Sequence, residues 1–116
     1  EKIQNFYKSV PYSYDDPSKM ASTVKKHLHP AFAIDAEGSV QETMLQCVLG
    51  FRRMETLHQG LRWFDVKRYG IEIVRRTMGP DGKPATLTDV LKKDDNRRAV
   101  QIPLDIRQAG VEANPR

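Results

Sequence analysis

Apolar residues recur at helical spacing from residue 40 onward. Val40, Met44, Val48, Phe51, Met54, Leu57, Leu61 and Phe64 fall on one face of a continuous helical winding. Ser39-Val-Gln-Glu42 stands at the head of this stripe with capping-box spacing. The serine oxygen can accept a first-turn N–H, and Glu42 can reach back to the serine N–H. The pattern predicts a main helix from Ser39 to about Gln59. Gly60 interrupts the stripe, and a glycine inside a helix costs about 1 kcal/mol relative to alanine, so a bend or close contact is expected there. Arg62 to Tyr69 is then a bent continuation or a second short helix, ended by Gly70.

The first forty residues are less regular. Ile3, Phe6 and Tyr7 suit a short helix or a contact with a neighbour, and Pro11, Tyr12, Tyr14 and Pro17 favour an extended path. Asp16-Pro17 makes an N-cap and first-turn pair. Met20, Val24 and Leu28 share a stripe, which predicts a helix from Pro17 to about His29, stopped by Pro30. Phe32 to Ile34 reads as an extended piece before a turn at Glu37-Gly38.

After Gly70 the period changes. Ile71 to Thr77 is rich in β-branched residues and reads as a strand. Gly79-Pro-Asp-Gly-Lys-Pro84 is a strong turn signal, and Ala85 to Leu91 reads as a returning strand, with a helix as the alternative. Arg98 to Ile102 is a third strand candidate. Pro103 to Ala109 can form one or two helical turns closed by Gly110, followed by an extended Val111 to Arg116. The fold class is α+β, with a helical first half and a small antiparallel hairpin or sheet in the second.

Charge and composition narrow the function. The 116 residues are 39% hydrophobic and 29% charged, a low apolar share that implies a modest core leaning on a partner surface. Net charge is +4, with a pI near 9.3. That balance admits an alternative reading as a small basic module that binds nucleic acid. The cations are spread as Lys25-Lys26, Arg52-Arg53, Arg75-Arg76, Lys92-Lys93 and Arg97-Arg98, however, which suits a solvated surface with local ion pairs. The one cysteine, Cys47, falls inside the main helix, so it neither forms a framework of disulfides nor carries a lipid. No apolar run approaches the ~20 residues that span a bilayer.

Candidate chemistry is sparse. His27-Leu-His29 has strand-like spacing with no third ligand in register, so no metal and no cofactor is expected. Asp94-Asp95 and Glu55 have no arrangement that faces them across a cleft, and no nucleophile or phosphate-loop motif is present; the chain does not read as an enzyme. Tyr7, Tyr12 and Tyr14 form an aromatic cluster in sequence. Tyr12 and Tyr14 are candidate ligand-binding residues because sugar C–H groups stack on aromatic faces, though a Pro/Tyr-rich loop also packs this way. Trp63 suits either a stacking platform or a core anchor, and its place between Leu61 and Phe64 favours the core. Arg62, Asp65 and Arg68 place an acid between two guanidinium groups along one side of the helix, a structural network rather than a set of ligand contacts.

Two blocks also carry a resemblance. Arg53-Met-Glu55-x-Leu57-x-x-Gly60-x-Arg62-Trp63-Phe64-Asp65-x-Lys67-Arg68-x-Gly70 resembles the C-terminal signature of the SusD/RagB family of nutrient-binding outer-membrane lipoproteins. Asp95-x-Arg97-Arg98-x-Val100-Gln101-Ile102-Pro103, then Asn114-Pro115, is similar to a second block of the same region. Gln59 is a departure, since the family more often has glutamate before the glycine. The resemblance implies that residues 1–116 are the C-terminal region of a longer, mostly α-helical protein. Such a protein is held at the outer face of the outer membrane by a lipid anchor that lies outside these residues. There it takes part in polysaccharide utilization, delivering an oligosaccharide or other nutrient to a SusC-like TonB-dependent transporter. Arg62, Trp63, Asp65 and Arg68 are then a structural signature, and no ligand residue of the family maps onto this chain.

Overall fold

The computed structural model of the chain describes residues 1–12 and 24–115. In order, its elements are α1 (Lys2–Ser9), α2 (Val40–Glu55), α3 (Arg62–Arg68), β1 (Ile73–Met78), β2 (Pro84–Leu91), a 3-10 turn at Asn96–Arg98, and α4 (Leu104–Gln108). The fold is α+β, helical in its first half with an antiparallel hairpin later.

Ser39 starts α2 as its capping chemistry requires. Its Oγ accepts the Glu42 N–H at 3.1 Å. The Glu42 carboxylate reaches back one residue further than the capping box predicts, taking the N–H of Gly38 at 3.2 Å, because Ser39 N–H already donates to Ala36 O. Helix α2 ends at Glu55, short of the expected Gln59. Thr56 Oγ1 turns back onto Arg52 O at 2.7 Å, and His58 and Gly60 both adopt positive φ, at 66° and 72°. This turn separates α3 as a second short helix. At its far end Gly70 has φ 59° and sits against the His29 backbone, where a Cβ would collide with the carbonyl.

The hairpin pairs Ile73 with Leu91 and Val74 with Val90 before register shifts on either side of Arg76 carry it to Met78 and Pro84. Its turn is closed by Gly79 N–H to Lys83 O at 2.9 Å. Ile71, expected in the strand, lies before it. Its N–H caps α3 through Val66 O at 3.0 Å, and its side chain is 2% exposed in the core. The expected third strand over Arg98 to Ile102 is absent: among the described residues the sheet has two strands. Asp95 instead caps the 3-10 turn by accepting the Arg97 N–H at 2.9 Å, which swings the buried Arg98 side chain inward.

The helix expected from Pro17 to His29 lies mainly outside the described residues. Its last part, 24–29, is extended and not helical. Lys25 bridges to Tyr12 in parallel, and His29 N–H donates to Tyr69 O at 2.8 Å. Between them the Gln46 amide of α2 clasps the peptide of Lys26, accepting its N–H at 3.2 Å and donating to its carbonyl at 2.6 Å. Two outside partners for the backbone replace the internal bonds of a helix.

Leu28, Leu49, Val66 and Ile71 form the main core, with Trp63, Tyr69, Leu45, Ile34 and Ile73 packed against it. Tyr7, Val10 and Cys47 form a second cluster between α1 and α2. There Gly50 allows the Tyr7 ring to approach. Burial, followed by the neighbouring Cys47, pushes the Tyr7 hydroxyl above its ordinary pKa.

Helix α2 is turned inside out relative to its pattern. Glu42, Thr43, Gln46, Cys47 and Leu49 face inward, while Val40, Met44, Val48, Phe51 and Met54 stand exposed. Leu57, Leu61 and Phe64 extend the exposed stripe onto the turn and α3. The radius of gyration, 17.0 Å, exceeds the about 13 Å of a compact domain of about 100 residues. The chain is a layer with one apolar surface uncovered rather than a closed globule.

Candidate functional site

The side chains of α3 divide among separate partners. Asp65 is buried, and its carboxylate is gripped by Arg52 of α2 through Nε to both oxygens at 3.2 Å and Nη2 at 3.0 Å. Asp65, expected between Arg62 and Arg68 along one side of its helix, takes its hydrogen bonds from Arg52 at the last turn of α2 and adds its charge to Arg62. Arg68 lies over the Phe32 and Tyr69 rings, 5.9 Å from each centroid. Trp63 is partly buried against the main core.

Arg98 ties the second sequence block to the first. It is 6% exposed and donates to Lys92 O at 2.5 Å, Val66 O at 3.1 Å, Ile71 O at 2.6 Å and Leu91 O at 3.3 Å. Its charge rests against carbonyls at the C-terminal end of α3, the negative pole of the helix. Gln101 closes the block on itself. Its Oε1 accepts the Asn114 N–H at 2.8 Å and its Nε2 donates to Asn114 O at 3.2 Å, while Asn114 Nδ2 donates to Val100 O at 2.8 Å.

A cleft of about 430 Å³ opens between α2, α3 and β1. Lys26, Arg53, Arg62 and Arg76 supply its cations, Glu72 its carboxylate, and residues such as Val66, Ile71 and Val74 an apolar wall. Burial, then the charges of Arg53 and Arg62, hold the Lys26 ammonium below its ordinary pKa. Burial and Arg53 act the same way on Arg62, only partly opposed by Asp65. Arg62 Nη1 is shut off from solvent without a hydrogen-bond partner. Sequence reading missed this cluster because its cations come from four separate stretches. The pairs Lys25-Lys26, Arg52-Arg53 and Arg75-Arg76 were visible, but not that one member of each turns into a common space.

A second depression, apolar and about 720 Å³, runs between α1 and α2 past Ile3, Phe6, Phe51, Met54 and Leu57. Arg53 lines both spaces.

The tyrosine candidates are dispersed. Tyr7 is buried. The Tyr12 ring stacks on His27 at 4.1 Å and 7°, with the Lys25 ammonium 4.6 Å from its centroid. Its role as a sugar platform would require these neighbours to yield. Tyr14 lies outside the described residues. His27 Nδ1 meets Glu37 Oε1 at 2.6 Å. Asp95 is engaged by Arg97 at 2.7 Å. Among the described residues no three His, Cys, Asp or Glu side chains gather as a metal site.

Comparison of the chain with models of protein families, with curated proteins and with solved structures finds no match in any of the three.

Proposed function

We infer that residues 1–116 are the C-terminal region of a SusD/RagB-type nutrient-binding protein, lipid-anchored at the outer face of the outer membrane, that passes an oligosaccharide or other nutrient to a SusC-like TonB-dependent transporter. The observation that carries the reading is the union of the two resembling blocks. Arg98 of the second holds the carbonyl of Val66 inside the first and that of Ile71 just after it. Gln101 and Asn114 clasp each other within the second. Residues that resemble a signature thus work together as one packing unit. The exposed apolar face of α2 also supports the reading, since it suits a layer laid on a larger helical body.

Basic residues lean away from the nucleic-acid alternative. Arg52 grips Asp65, Arg97 pairs with Asp89 and Asp95, and Arg98 is buried, so three members of the arginine pairs are engaged within the chain.

Labelled palmitate and surface proteolysis in cells, followed by affinity capture, test the reading. The protein should take up lipid, be cut from outside, and bring down a TonB-dependent barrel. A cytoplasmic, unlipidated protein whose capture of DNA collapses with rising salt would replace this reading with the nucleic-acid one.

A further inference from the structure

The cation-lined cleft asks for an occupant. Arg62 is the most exacting member, because its Nη1 is held out of water with no acceptor among the described residues. A buried donor left unpaired costs free energy that an acceptor would recover. Asp65, held by Arg52 through both oxygens, adds its charge to Arg62 but makes no hydrogen bond to its Nη1. Arg53 stands in the same cleft and its charge raises the electrostatic cost further. An anion placed among them would relieve both penalties at once.

The cleft also selects the kind of anion. Guanidinium groups present a planar fork that matches a carboxylate. One wall is apolar, with Val66, Ile71 and Val74. A phosphate or sulfate needs donors around most of its oxygens, whereas a carboxylate directs its hydrogen bonds to one end and leaves the body free to lie on an apolar wall. Glu72 on the lining disfavours a dianion.

We propose that this cleft is a binding site for a carboxylate carried on an apolar body, with Arg62 and Arg53 as its donors and Lys26 as a supporting charge. The assignment rests on the cleft and is independent of the family reading above.

Side-chain NMR of the arginine Nε–H groups in the 116-residue chain, titrated with benzoate, is the test. Saturable shifts at Arg62 and Arg53 are expected, with benzamide of the same shape inert. Arg53→Gln, at an exposed position that leaves the fold intact, should weaken binding about tenfold. Arg62→Gln should weaken it at least as much, and Glu72→Gln should tighten it. Arg75→Gln, exposed on β1 outside the cleft, should change nothing. Equal response to benzamide, unchanged affinity in Arg53→Gln, or equal weakening by Arg75→Gln would overturn the proposal. Two further probes separate the sources of the carboxylate: octanoate for a free acid, and a helical peptide with a leucine stripe and one glutamate for a protein side chain. The tighter probe names the source, and it must lose affinity in Arg53→Gln as benzoate does.

Discussion

Replacing Arg98 by methionine perturbs the joint between the two halves of the chain. The guanidinium donates to four carbonyls, of which those of Val66 and Ile71 lie in the buried interior and those of Lys92 and Leu91 nearer the surface. Hydrogen bonds from a charged donor contribute about 1.5–3 kcal/mol each. The outer two carbonyls regain water on substitution. The Val66 carbonyl keeps the Ile71 N–H at 3.0 Å. The Ile71 carbonyl loses its bond at 2.6 Å to the guanidinium and stays buried. Methionine refills the space of the aliphatic stem, so the packing loss is small. The net expectation is a loss of about 3–5 kcal/mol, a large part of a typical stability of about 5–15 kcal/mol. Arg98→Lys should fall between, because an ammonium keeps the charge but cannot span the same carbonyls with one planar fork. Urea unfolding followed by Trp63 fluorescence and circular dichroism measures both variants. A methionine variant within about 1 kcal/mol of the parent, with an unchanged denaturant slope, would refute the reasoning.

Ser39→Ala should lower stability by about 0.5–2 kcal/mol by leaving the Glu42 N–H without its cap, and an unmoved urea midpoint would deny that cap its role. Gly70→Ala should cost at least about 2 kcal/mol, since a methyl at positive φ must displace the His29 carbonyl; hydrogen exchange should quicken at the His29 amide, and a silent substitution would contradict this crossing. Phe51→Ser, at a site 58% exposed, should change stability by no more than about 0.5 kcal/mol while reducing dye binding and self-association; a large loss of stability would mean that the face is covered within the chain. Asp95 is held at about 2 by its hydrogen bond from the Arg97 side chain and then by the Arg97 N–H, against an ordinary 3.8. Its pKa is depressed on folding, so its contribution is complete above the ordinary value and is lost as pH falls toward about 2. Carboxyl NMR should place its midpoint in that window and Arg97→Gln should raise it; an ordinary midpoint in the parent would break the assignment.

Local chemistry was the legible part of the sequence. Ser39 could be recognised as a cap because its partner, the Glu42 N–H, is three residues away. The hairpin was legible because the turn from Gly79 to Lys83 admits few backbone paths. The apolar stripe of α2 was visible too, but periodicity records that a face seeks cover, not which body supplies it. The Arg52 partner of Asp65 was not legible because helical spacing relates residues of one helix, and Arg52 approaches from another across the turn containing His58 and Gly60. Arg98 read as strand because Ala99, Val100 and Ile102 follow it. Its inward turn depends on carbonyls 27 and 32 residues away, which no local pattern encodes. The cleft was hidden for the same reason, since Lys26, Arg53, Arg62 and Arg76 meet only after the chain has folded.

The Gln46 clasp on Lys26 recognises only a peptide unit: both bonds go to the backbone N–H and carbonyl, and neither consults the side chain at position 26. Residue 26 is thus held in its path through its peptide, while Leu28, two residues on, is held through its side chain in the core. Lys26 lines the cleft from an extended segment whose backbone is fixed by that amide rather than by pairing in a sheet. A substitution at position 26 changes the electrical character of that space while leaving both bonds of the clasp available. A backbone held by an amide that ignores sequence makes the cleft evolvable.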